Sequence, residues 1–492
     1  MNDVMTNKTD YCVENFVAGK WVRGSAGHID VISPYTGKPC GEVHLSLTQD
    51  VASAVEAAKI NQKEWEQTPL KARTQVLFNF RDILLRDEQK IAQVVALESG
   101  KTLSEAIAGI RKGVEVLEYA LSLQNSDLGG KMEVSRGVFC EYRRKPLGVV
   151  ASITPFNFPA MVPMWTIPIA IVLGNAYIWK PSEKTPITSQ FIANAFHEAG
   201  LPAGILTVVQ GASEAVNALA DHTDVKAISF VGSTKVAQIV YKRATEKTKR
   251  ALCLGGAKNH IILLPDADIE VTGAGISDSF TGCAGQRCMA ASVLLAVGDV
   301  DKHITKIKER AASQVLGQTM GAIITQEQLD FLHEAIEKAL EEGAKIIFDG
   351  RKLSAPQENS EGYWFGPVIL DNVKPGSTAA KMELFGPILS IIRCQNISEA
   401  IEVQNSSEYG NAASVFTSSG PMAEYVASNT KCGMFGVNIG VPVPREPFSF
   451  GGVDVSKFGH GDITGVHSLD FWSDVKKITT KWELQSDANW MS

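Results

Sequence analysis

Residues 147–154, with the sequence LGVVASIT, begin the stretch of the chain that decides its fold. This apolar run, which ends at Pro155, predicts a buried β-strand. Three similar runs follow, separated by stretches whose apolar residues have helical spacing. The later strands are predicted at 176–180, 205–209 and 227–231, and the helices at 185–199, at 213–221 and from Ser233 onward. Alternation at this spacing predicts βαβ units, a parallel sheet, and a ligand site at the carboxyl ends of its strands.

A second pattern of the same kind begins after residue 288. Four apolar runs predict strands and two amphipathic stretches predict helices. The strands are predicted at 292–297, 368–370, 388–393 and 414–417, the helices at 302–312 and 326–342, and a polar surface loop at 350–362. A chain of 492 residues is long enough for two or three domains, so a second α/β domain is expected.

Two segments fit neither α/β pattern. Residues 129–144 alternate as a β-hairpin does, and residues 471–482 resemble a terminal strand, with Phe471, Val475, Ile478 and Trp482 as its apolar positions. Exposed strand edges of this kind often pair with another chain. The segments therefore predict a homodimer or homotetramer, and packing onto their own subunit is the alternative.

Composition excludes several classes of protein. The net charge of −7, without a run of basic residues, argues against binding to nucleic acid or to an anionic membrane. The polar start of the chain, residues 1–14, does not resemble a signal peptide, and the apolar stretch 161–173 is too short and too rich in proline to span a bilayer. We therefore expect a cytoplasmic protein with reduced cysteines.

The eight cysteines do not have the spacing of a metal site. Cys283 and Cys288 form an isolated C-x4-C, without the second pair that a zinc site of this type needs. The sequence thus predicts no metal.

Cys288 stands in the segment 285–289, GQRCM, directly after Arg287. A cysteine attacks a carbonyl carbon as the thiolate, and a neighbouring cation lowers the thiol pKa toward neutrality. The pattern therefore predicts a catalytic nucleophile. The alternative is an inert cysteine in the core.

Two strand ends carry residues suited to a dinucleotide. Gly232-Ser233 opens a helix after a strand, where backbone N–H groups and the helix dipole can hold a pyrophosphate. In the segment 180–183, KPSE, Lys180 can donate to ribose hydroxyls and Glu183 can accept from them, and the carboxylate repels the 2′-phosphate of NADP. The GxGxxG fingerprint is absent, so a plain turn and a solvated Lys/Glu pair remain the alternatives.

Asn157 lies in the segment 154–159, TPFNFP, at another strand end. A buried asparagine needs partners, and its NH2 group can donate to a developing oxyanion. The alternative is a turn-forming asparagine, which is common near proline.

Taken together and in this order, these motifs resemble the aldehyde dehydrogenase superfamily over nearly the whole chain. The supporting matches are 98–101 ESGK, 256–259 GAKN, 383–387 ELFGP, and Asn405 through Tyr409-Gly410. The resemblance implies a Rossmann-like parallel-sheet NAD domain, a second α/β catalytic domain and a small β oligomerisation extension. The corresponding ranges are 1–124 with 145–252, then 253–445, and finally 125–144 with 446–492.

The resemblance also implies roles for individual residues. Cys288 is then the nucleophile and Asn157 the oxyanion donor, and Glu383 holds the nicotinamide ribose. The residues implied in binding NAD are Thr154, Phe156, Lys180, Glu183, Lys184, Ser233 and Glu383.

One departure points to a branch of the superfamily. Hydrolytic members carry Glu-Leu-Gly-Gly-Lys, whose glutamate is the base for the deacylating water, and here Leu254 occupies the glutamate's place. A thiol acceptor needs no such base. With 256–260 GAKNH, 285–290 GQRCMA and 442–444 PVP, the chain resembles the CoA-acylating methylmalonate-semialdehyde dehydrogenases. This resemblance implies NAD-dependent oxidation of malonate or methylmalonate semialdehyde to acetyl-CoA or propionyl-CoA, with loss of CO2.

The chain also differs from that branch. Arg287 matches the second arginine that binds the substrate carboxylate, but Lys112 replaces the first, with Arg111 one residue earlier. Lysine keeps the charge and loses the bidentate fork. Ala237 replaces a glycine, and the loop 314–324 is shorter than usual.

Three other functions remain open at this point. The first is an aldehyde dehydrogenase that hydrolyses its thioester to the free acid by means of another carboxylate or an ordered water. The second is a cysteine hydrolase or acyltransferase without a redox step, which needs a histidine beside the cysteine. The third is a non-catalytic homologue that keeps the fold.

Overall fold

The structure, a computed structural model, describes residues 11–126 and 129–482. Three segments lie outside these residues: 1–10 in the predicted first domain, 127–128 before the predicted hairpin, and 483–492 at the end of the predicted extension. Two large sheets organise the described chain, one of eight strands and one of seven, and each is covered by helices.

The eight-stranded sheet contains all four strands predicted from 147–231. Its five central strands are parallel and almost completely buried, because helices cover both faces. Each of the three short outer strands pairs antiparallel with the strand on its inner side. In spatial order the strands are Lys457–Phe458, Arg250–Leu254, Val225–Val231, Val149–Ile153, Ala176–Lys180, Leu206–Val208, Asn15–Val17 and Lys20–Val22.

Eight helices accompany this sheet and pack on its strands or on one another. The bounds are Thr48–Gln67, Leu70–Arg86, Glu88–Ser99, Leu103–Ser122, Met161–Val172, Ile187–Glu198, Ser213–Asp221 and Thr234–Glu246. The helix Met161–Val172 is apolar on every side and is buried, as such a helix must be in a folded protein. Among the residues described, no helix combines the length and apolar character that crossing a membrane requires.

The seven-stranded sheet contains the four strands predicted after residue 288. In spatial order the strands are Lys345–Asp349, Val368–Asp371, Ile388–Cys394, Ala291–Val297, Asn259–Leu263, Ala412–Phe416 and Met434–Val437, and only the first is antiparallel to its neighbour. The helices of this region are Ile269–Thr281, Asp301–Ala312, Gln326–Glu341, Thr378–Lys381, Ile397–Asn405 and Gly420–Asn429. The predicted loop 350–362 contains only the short turns Gly350–Lys352 and Gln357–Asn359.

Smaller sheets complete the fold. The predicted hairpin forms from Gly129–Ser135 and Val138–Pro146, and Ser473–Lys481 pairs antiparallel with the second strand over its whole length. Near the start of the described chain, Tyr11–Val13, Lys38–His44 and His28–Ser33 form a three-stranded sheet, named here the N-terminal sheet. The remaining elements are the two-strand pair Tyr409–Gly410 and Val453–Asp454, the helix Gly465–Trp472, and the short turns Leu123–Asn125 and Gly282–Gly285.

The predicted terminal strand begins two residues later than expected. Phe471 and Trp472 end a helix instead, and both side chains are buried in the core. The Trp472 carbonyl accepts a hydrogen bond from Asn175 Nδ2 at 2.9 Å, beside the Tyr177 ring. The burial of these two side chains against the eight-stranded sheet outweighs the strand-like spacing that Phe471 shares with Val475 and Ile478.

Candidate active site

A cavity of about 1070 Å³ opens at the carboxyl ends of the parallel strands of the eight-stranded sheet and reaches residues of the second α/β unit. Strands of a parallel sheet end at one edge, so side chains that are distant in sequence meet there. Nine residues that the sequence singled out line this cavity: Thr154, Phe156, Asn157, Lys180, Glu183, Lys184, Ser233, Cys288 and Glu383.

One side of the cavity carries the residues predicted to contact a dinucleotide. Lys180 ends a buried strand, and its Nζ donates to Glu183 at 2.8 Å. Burial acts to raise the pKa of Glu183, but the charge and hydrogen bond of Lys180 outweigh it and hold that pKa below its usual value. Ser233 precedes the helix Thr234–Glu246, whose N-terminus faces the cavity beside it. These groups could bind a nucleotide's hydroxyls and phosphates.

The loop that carries Cys288 has an unusual backbone. Cys283, Ala284 and Gly285 have positive φ angles of 55°, 51° and 67°, which turn the chain sharply after the helix Ile269–Thr281. Gly285 lies directly against the backbone of Gly386, where a Cβ atom would overlap the main chain. The turn therefore joins the Cys288 loop to the segment 383–387.

Four hydrogen bonds fix the Cys288 loop. The Cys288 carbonyl accepts from Asn259 Nδ2 at 2.7 Å and from Asn411 Nδ2 at 2.9 Å. The Gln286 side chain donates to the Ala322 carbonyl at 3.1 Å and accepts from the Ile324 N–H at 3.0 Å. The backbone around the thiol is thus held in place from both sides.

Asn157 lies beside this loop. Its side chain is buried, and Nδ2 donates to the Gln286 carbonyl at 2.9 Å. An amide nitrogen has two N–H groups, so one remains for a second acceptor in the cavity. The arrangement supports an oxyanion donor and differs from a simple turn-forming asparagine.

The expected low pKa of Cys288 is wrong for the structure as it stands. Burial raises the pKa of the thiol to about 12, the negative charge of Glu383 adds to this effect, and Arg287 opposes it too weakly. Arg287 is adjacent in sequence, but its guanidinium turns away to donate to the carbonyls of Asp278 and Ser279. The resting thiol is therefore protonated.

Glu383 enters the cavity from the second α/β unit. The Ala257 N–H donates to its Oε1 at 2.9 Å, and Gly256 leaves room for the other oxygen, which a Cβ atom would overlap. Burial raises the pKa of Glu383 to about 7, against the effects of the Ala257 N–H and of Lys258. Lys258 is itself buried, and its amine has no hydrogen-bond partner among the residues described.

Leu254 is buried at the end of its strand and does not line the cavity. The next two residues, Gly255 and Gly256, do line it. Within the described residues, the carboxylates that line the cavity are Glu183, Glu327 and Glu383. A base therefore does not extend into the cavity from position 254.

The two residues predicted to bind a substrate carboxylate do not line the cavity. Lys112 Nζ donates to Glu115 at 2.9 Å and lies 3.8 Å from Glu446. Arg287 makes the carbonyl contacts described above, although its Nε is buried with no hydrogen-bond partner among the described residues. Arg111 is paired with Glu88 at 2.7 Å. The predicted carboxylate site stays a prediction.

Sequence reasoning missed the residues that hold the loop. Asn259 and Asn411 support Cys288, and Glu105 accepts from the Cys283 N–H at 2.6 Å. Asn259 belongs to the motif 256–259 that the sequence singled out, so this motif was a signal from which a role in positioning the Cys288 loop could have been inferred. Asn411 and Glu105 gave no signal in the sequence.

The two-sheet fold and the cavity at the strand ends, with a cysteine fixed within it, are those of an enzyme with a nucleotide cleft. The chain belongs to the aldehyde dehydrogenase family, whose model matches residues 21–478. The predicted fold and the predicted class of enzyme are therefore confirmed.

Individual relatives are similar over nearly their whole length. The chain is 38% identical to malonate-semialdehyde dehydrogenase 2 of Geobacillus thermodenitrificans over 478 residues, which cover 95% of this chain and 99% of that protein. A crystal structure of methylmalonate-semialdehyde dehydrogenase from Oceanimonas doudoroffii matches with a TM-score of 0.94 at 36% identity, covering 96% and 98% of the two chains. A Sinorhizobium meliloti protein described as a methylmalonate-semialdehyde dehydrogenase, crystallised with NAD, matches with a TM-score of 0.95 at 38% identity and covers 98% and 100%.

Proposed function

We propose that this chain is an NAD-dependent, CoA-acylating dehydrogenase that converts malonate or methylmalonate semialdehyde to acetyl-CoA or propionyl-CoA and CO2. The observation that carries the proposal is the cavity itself. It combines Cys288 and Asn157 with a nucleotide-binding edge, while Leu254 stands where a hydrolytic enzyme has its base. The names of the similar proteins support this substrate class.

The cavity fits NAD. Lys180 and Glu183 bind the adenosine ribose, Ser233 and the helix it precedes hold the pyrophosphate, and Glu383 accepts from the nicotinamide ribose. Thr154, Phe156 and Lys184 complete the wall, with Lys184 Nζ placed 5.6 Å from the centre of the Phe156 ring. When bound, NAD accepts the hydride that the aldehyde carbon gives up.

Cys288 forms the covalent intermediate. The thiol loses its proton to solvent and the sulfur attacks the aldehyde carbon, while the free N–H of Asn157 and the Cys288 backbone N–H stabilise the oxyanion. Loss of hydride leaves an acyl thioester on Cys288. The CoA thiol then attacks the thioester carbonyl and takes over the acyl group, Cys288 leaves as the thiolate, and the proton of the CoA thiol returns to it. The C–C bond to the substrate carboxylate breaks to release CO2, and the carbon that carried it takes up a proton from solvent.

Arg287 is the stronger candidate for holding the substrate carboxylate. Its buried Nε has no hydrogen-bond partner among the residues described, so a donor is available to an anion once the side chain turns from the Asp278 and Ser279 carbonyls toward the cavity. Lys112 contributes positive charge, but it already donates to Glu115 and lies near Glu446. We therefore assign Lys112 the smaller role of the two.

The proposal extends to organisation and location. Residues 1–124 and 145–252 bind NAD, residues 253–445 carry the cysteine, and 125–144 with 446–492 join subunits of a homodimer or homotetramer. The exposed side chains of Met132 and Val134 on the edge strand Gly129–Ser135 support such pairing. All eight cysteines are free, which supports a cytoplasmic location.

A second candidate function is hydrolysis of the thioester to the free acid. Glu383 favours it, because this carboxylate lines the cavity and its charge acts on the Cys288 thiol. Glu383 could then act as the base for the attacking water, in place of the missing glutamate at position 254.

The test is NADH formation from malonate semialdehyde with and without CoA, with the products identified by mass spectrometry. We expect turnover that depends on CoA and yields acetyl-CoA. Propionaldehyde, which lacks the carboxylate, is the control substrate, and Arg287→Met is expected to raise KM for malonate semialdehyde while leaving KM for propionaldehyde unchanged. Free acid formed at the same rate without CoA would overturn the acylating proposal in favour of hydrolysis.

A further inference from the structure

The N-terminal sheet gathers several metal-binding side chains on one face. In this sheet Cys12 is the register partner of Glu42, and His28 is the register partner of His44. Glu42 and His44 are two residues apart on the central strand, so their side chains point to the same face. Three adjacent strands thus bring a thiol, a carboxylate and two imidazoles together.

The distances are short enough for one ion. Potential ligand atoms of Cys12, Glu42 and His44 all lie within 4.8 Å of one another. His44 Nε2 lies 3.2 Å from Glu42 Oε1, and His28 Nε2 lies 3.7 Å from Glu42 Oε2. The two imidazole rings are 5.6 Å apart, measured between their centres. Three donor atoms thus lie within reach of one ion, and His28 stands beside Glu42 as the nearest further imidazole.

The site is partly shielded from water. The His44 side chain is only 12% exposed, and Cys12 is half-buried, whereas His28 lies at the rim with 56% of its side chain exposed. The strand Tyr11–Val13 pairs with a single neighbour in this sheet. Its other anchors include the buried side chain of Val13, the bond from Gln190 Nε2 to the Cys12 carbonyl, at 2.7 Å, and the packing of Tyr11 on Phe191.

We propose that Cys12, Glu42 and His44, with His28 as the fourth ligand, form a zinc site that fastens the strand Tyr11–Val13 to the N-terminal sheet. One sulfur, two imidazole nitrogens and one carboxylate oxygen form a donor set that suits a tetrahedral Zn²⁺ and suits Mg²⁺ or Ca²⁺ poorly. Binding breaks the Cys12 S–H bond and forms a Zn–S bond, and the proton leaves to solvent. The site is separate from the proposed catalytic cavity, whose wall includes none of these residues.

The experiment uses the full-length protein, stripped with a chelator and then titrated with Zn²⁺ or Co²⁺. We expect one metal ion per chain by elemental mass spectrometry, a thiolate-to-Co²⁺ charge-transfer band, and a rise in Tm on adding Zn²⁺. Cys12→Ser and His44→Gln are expected to weaken binding at least tenfold and to abolish the rise in Tm. Cys140→Ser, which changes another half-buried cysteine on a different sheet, is the matched control and keeps all three signals.

The outcomes separate the proposal from its alternatives. If Cys12→Ser keeps the charge-transfer band, the ion binds at another thiol, such as Cys288, and the proposal is wrong. If the parent protein binds no metal, the residues form a hydrogen-bonded surface cluster only. Should Cys12→Ser or His44→Gln fail to fold, the exposed His28→Gln supplies the test, because it must weaken binding without affecting the fold.

Discussion

Glu98, which is buried, and Glu383, which is half-buried at the cavity, show how a structural carboxylate differs from one that is proposed to bind the cofactor. Glu98 accepts from the N–H of Ile187 at 2.6 Å, from the N–H of Thr188 at 2.9 Å, and from the Thr188 hydroxyl. Glu383 accepts from one backbone N–H among the described residues, that of Ala257, and it faces the cavity. Burial raises the pKa of each carboxyl to about 7. A shifted pKa is therefore common to both, and the free acceptor positions distinguish Glu383.

The same contrast applies to two cysteines, and it predicts the largest effect. Cys288 lines the cavity, whereas Cys283 is buried behind it. Cys288→Ala should lower the rate of NADH formation by roughly 10⁵- to 10⁶-fold, the scale seen when an enzyme loses its nucleophile. Cys283→Ala should keep most of its turnover. Both rates are measured by NADH absorbance on folded protein, and equal losses in the two variants would remove the distinction.

Glu98→Gln tests the structural side of the comparison. The amide NH2 of glutamine cannot accept, so at least one buried N–H at the start of the helix Ile187–Glu198 loses its partner. We expect the free energy of unfolding to fall by about 2–3 kcal/mol. Denaturant unfolding of Glu98→Gln and Glu383→Gln provides the measurement. A loss of stability as large in Glu383→Gln would show that both carboxylates serve the fold alike.

The smallest predicted effect is the pH dependence of NAD binding, and it rests on the proposed role of Glu383. Below a pH of about 7 this carboxyl is protonated, and above it the ionised form accepts stronger hydrogen bonds from ribose hydroxyls. The Kd for NAD should therefore fall about fivefold as the pH rises from 6 to 8, which corresponds to about 1 kcal/mol of binding free energy. In Glu383→Gln this dependence should disappear.

Lys258 provides the control for that measurement. Burial lowers its pKa to about 7, so it loses its charge over the same range of pH. Calorimetric titration of NAD at pH 6, 7 and 8 is repeated with Lys258→Met. If the pH dependence survives in Glu383→Gln and vanishes in Lys258→Met, the lysine is the titrating group and the prediction for Glu383 fails.

Much of the fold could be predicted from the sequence, because buried parallel strands and amphipathic helices have strong local patterns. The strand Ala176–Lys180 and the helix Ser213–Asp221 have the predicted bounds. All nine residues predicted at the nucleophile and the cofactor line one cavity, because strand ends of a parallel sheet converge. The roles of these residues remain predictions, whereas their common location is observed.

The failures have a common physical origin, which is that neighbours in space are not neighbours in sequence. Arg287 stands next to Cys288 in the sequence, but its side chain turns toward backbone carbonyls. Burial and the charge of Glu383 therefore dominate the pKa of the Cys288 thiol. Phe471 has strand-like spacing but is buried at the end of a helix. The ligands of the proposed zinc site come from three strands, so no spacing along the chain could reveal them.

The contact between Gly285 and Gly386 has a mechanical consequence. With backbone against backbone and no side chain between them, neither loop has slack to move past the other. One loop carries Cys288 and the other carries Glu383, so the proposed nucleophile and the proposed cofactor anchor behave as parts of one rigid frame. These two side chains are thereby held in a fixed relation before any ligand arrives, so that their alignment does not depend on a search during each turnover.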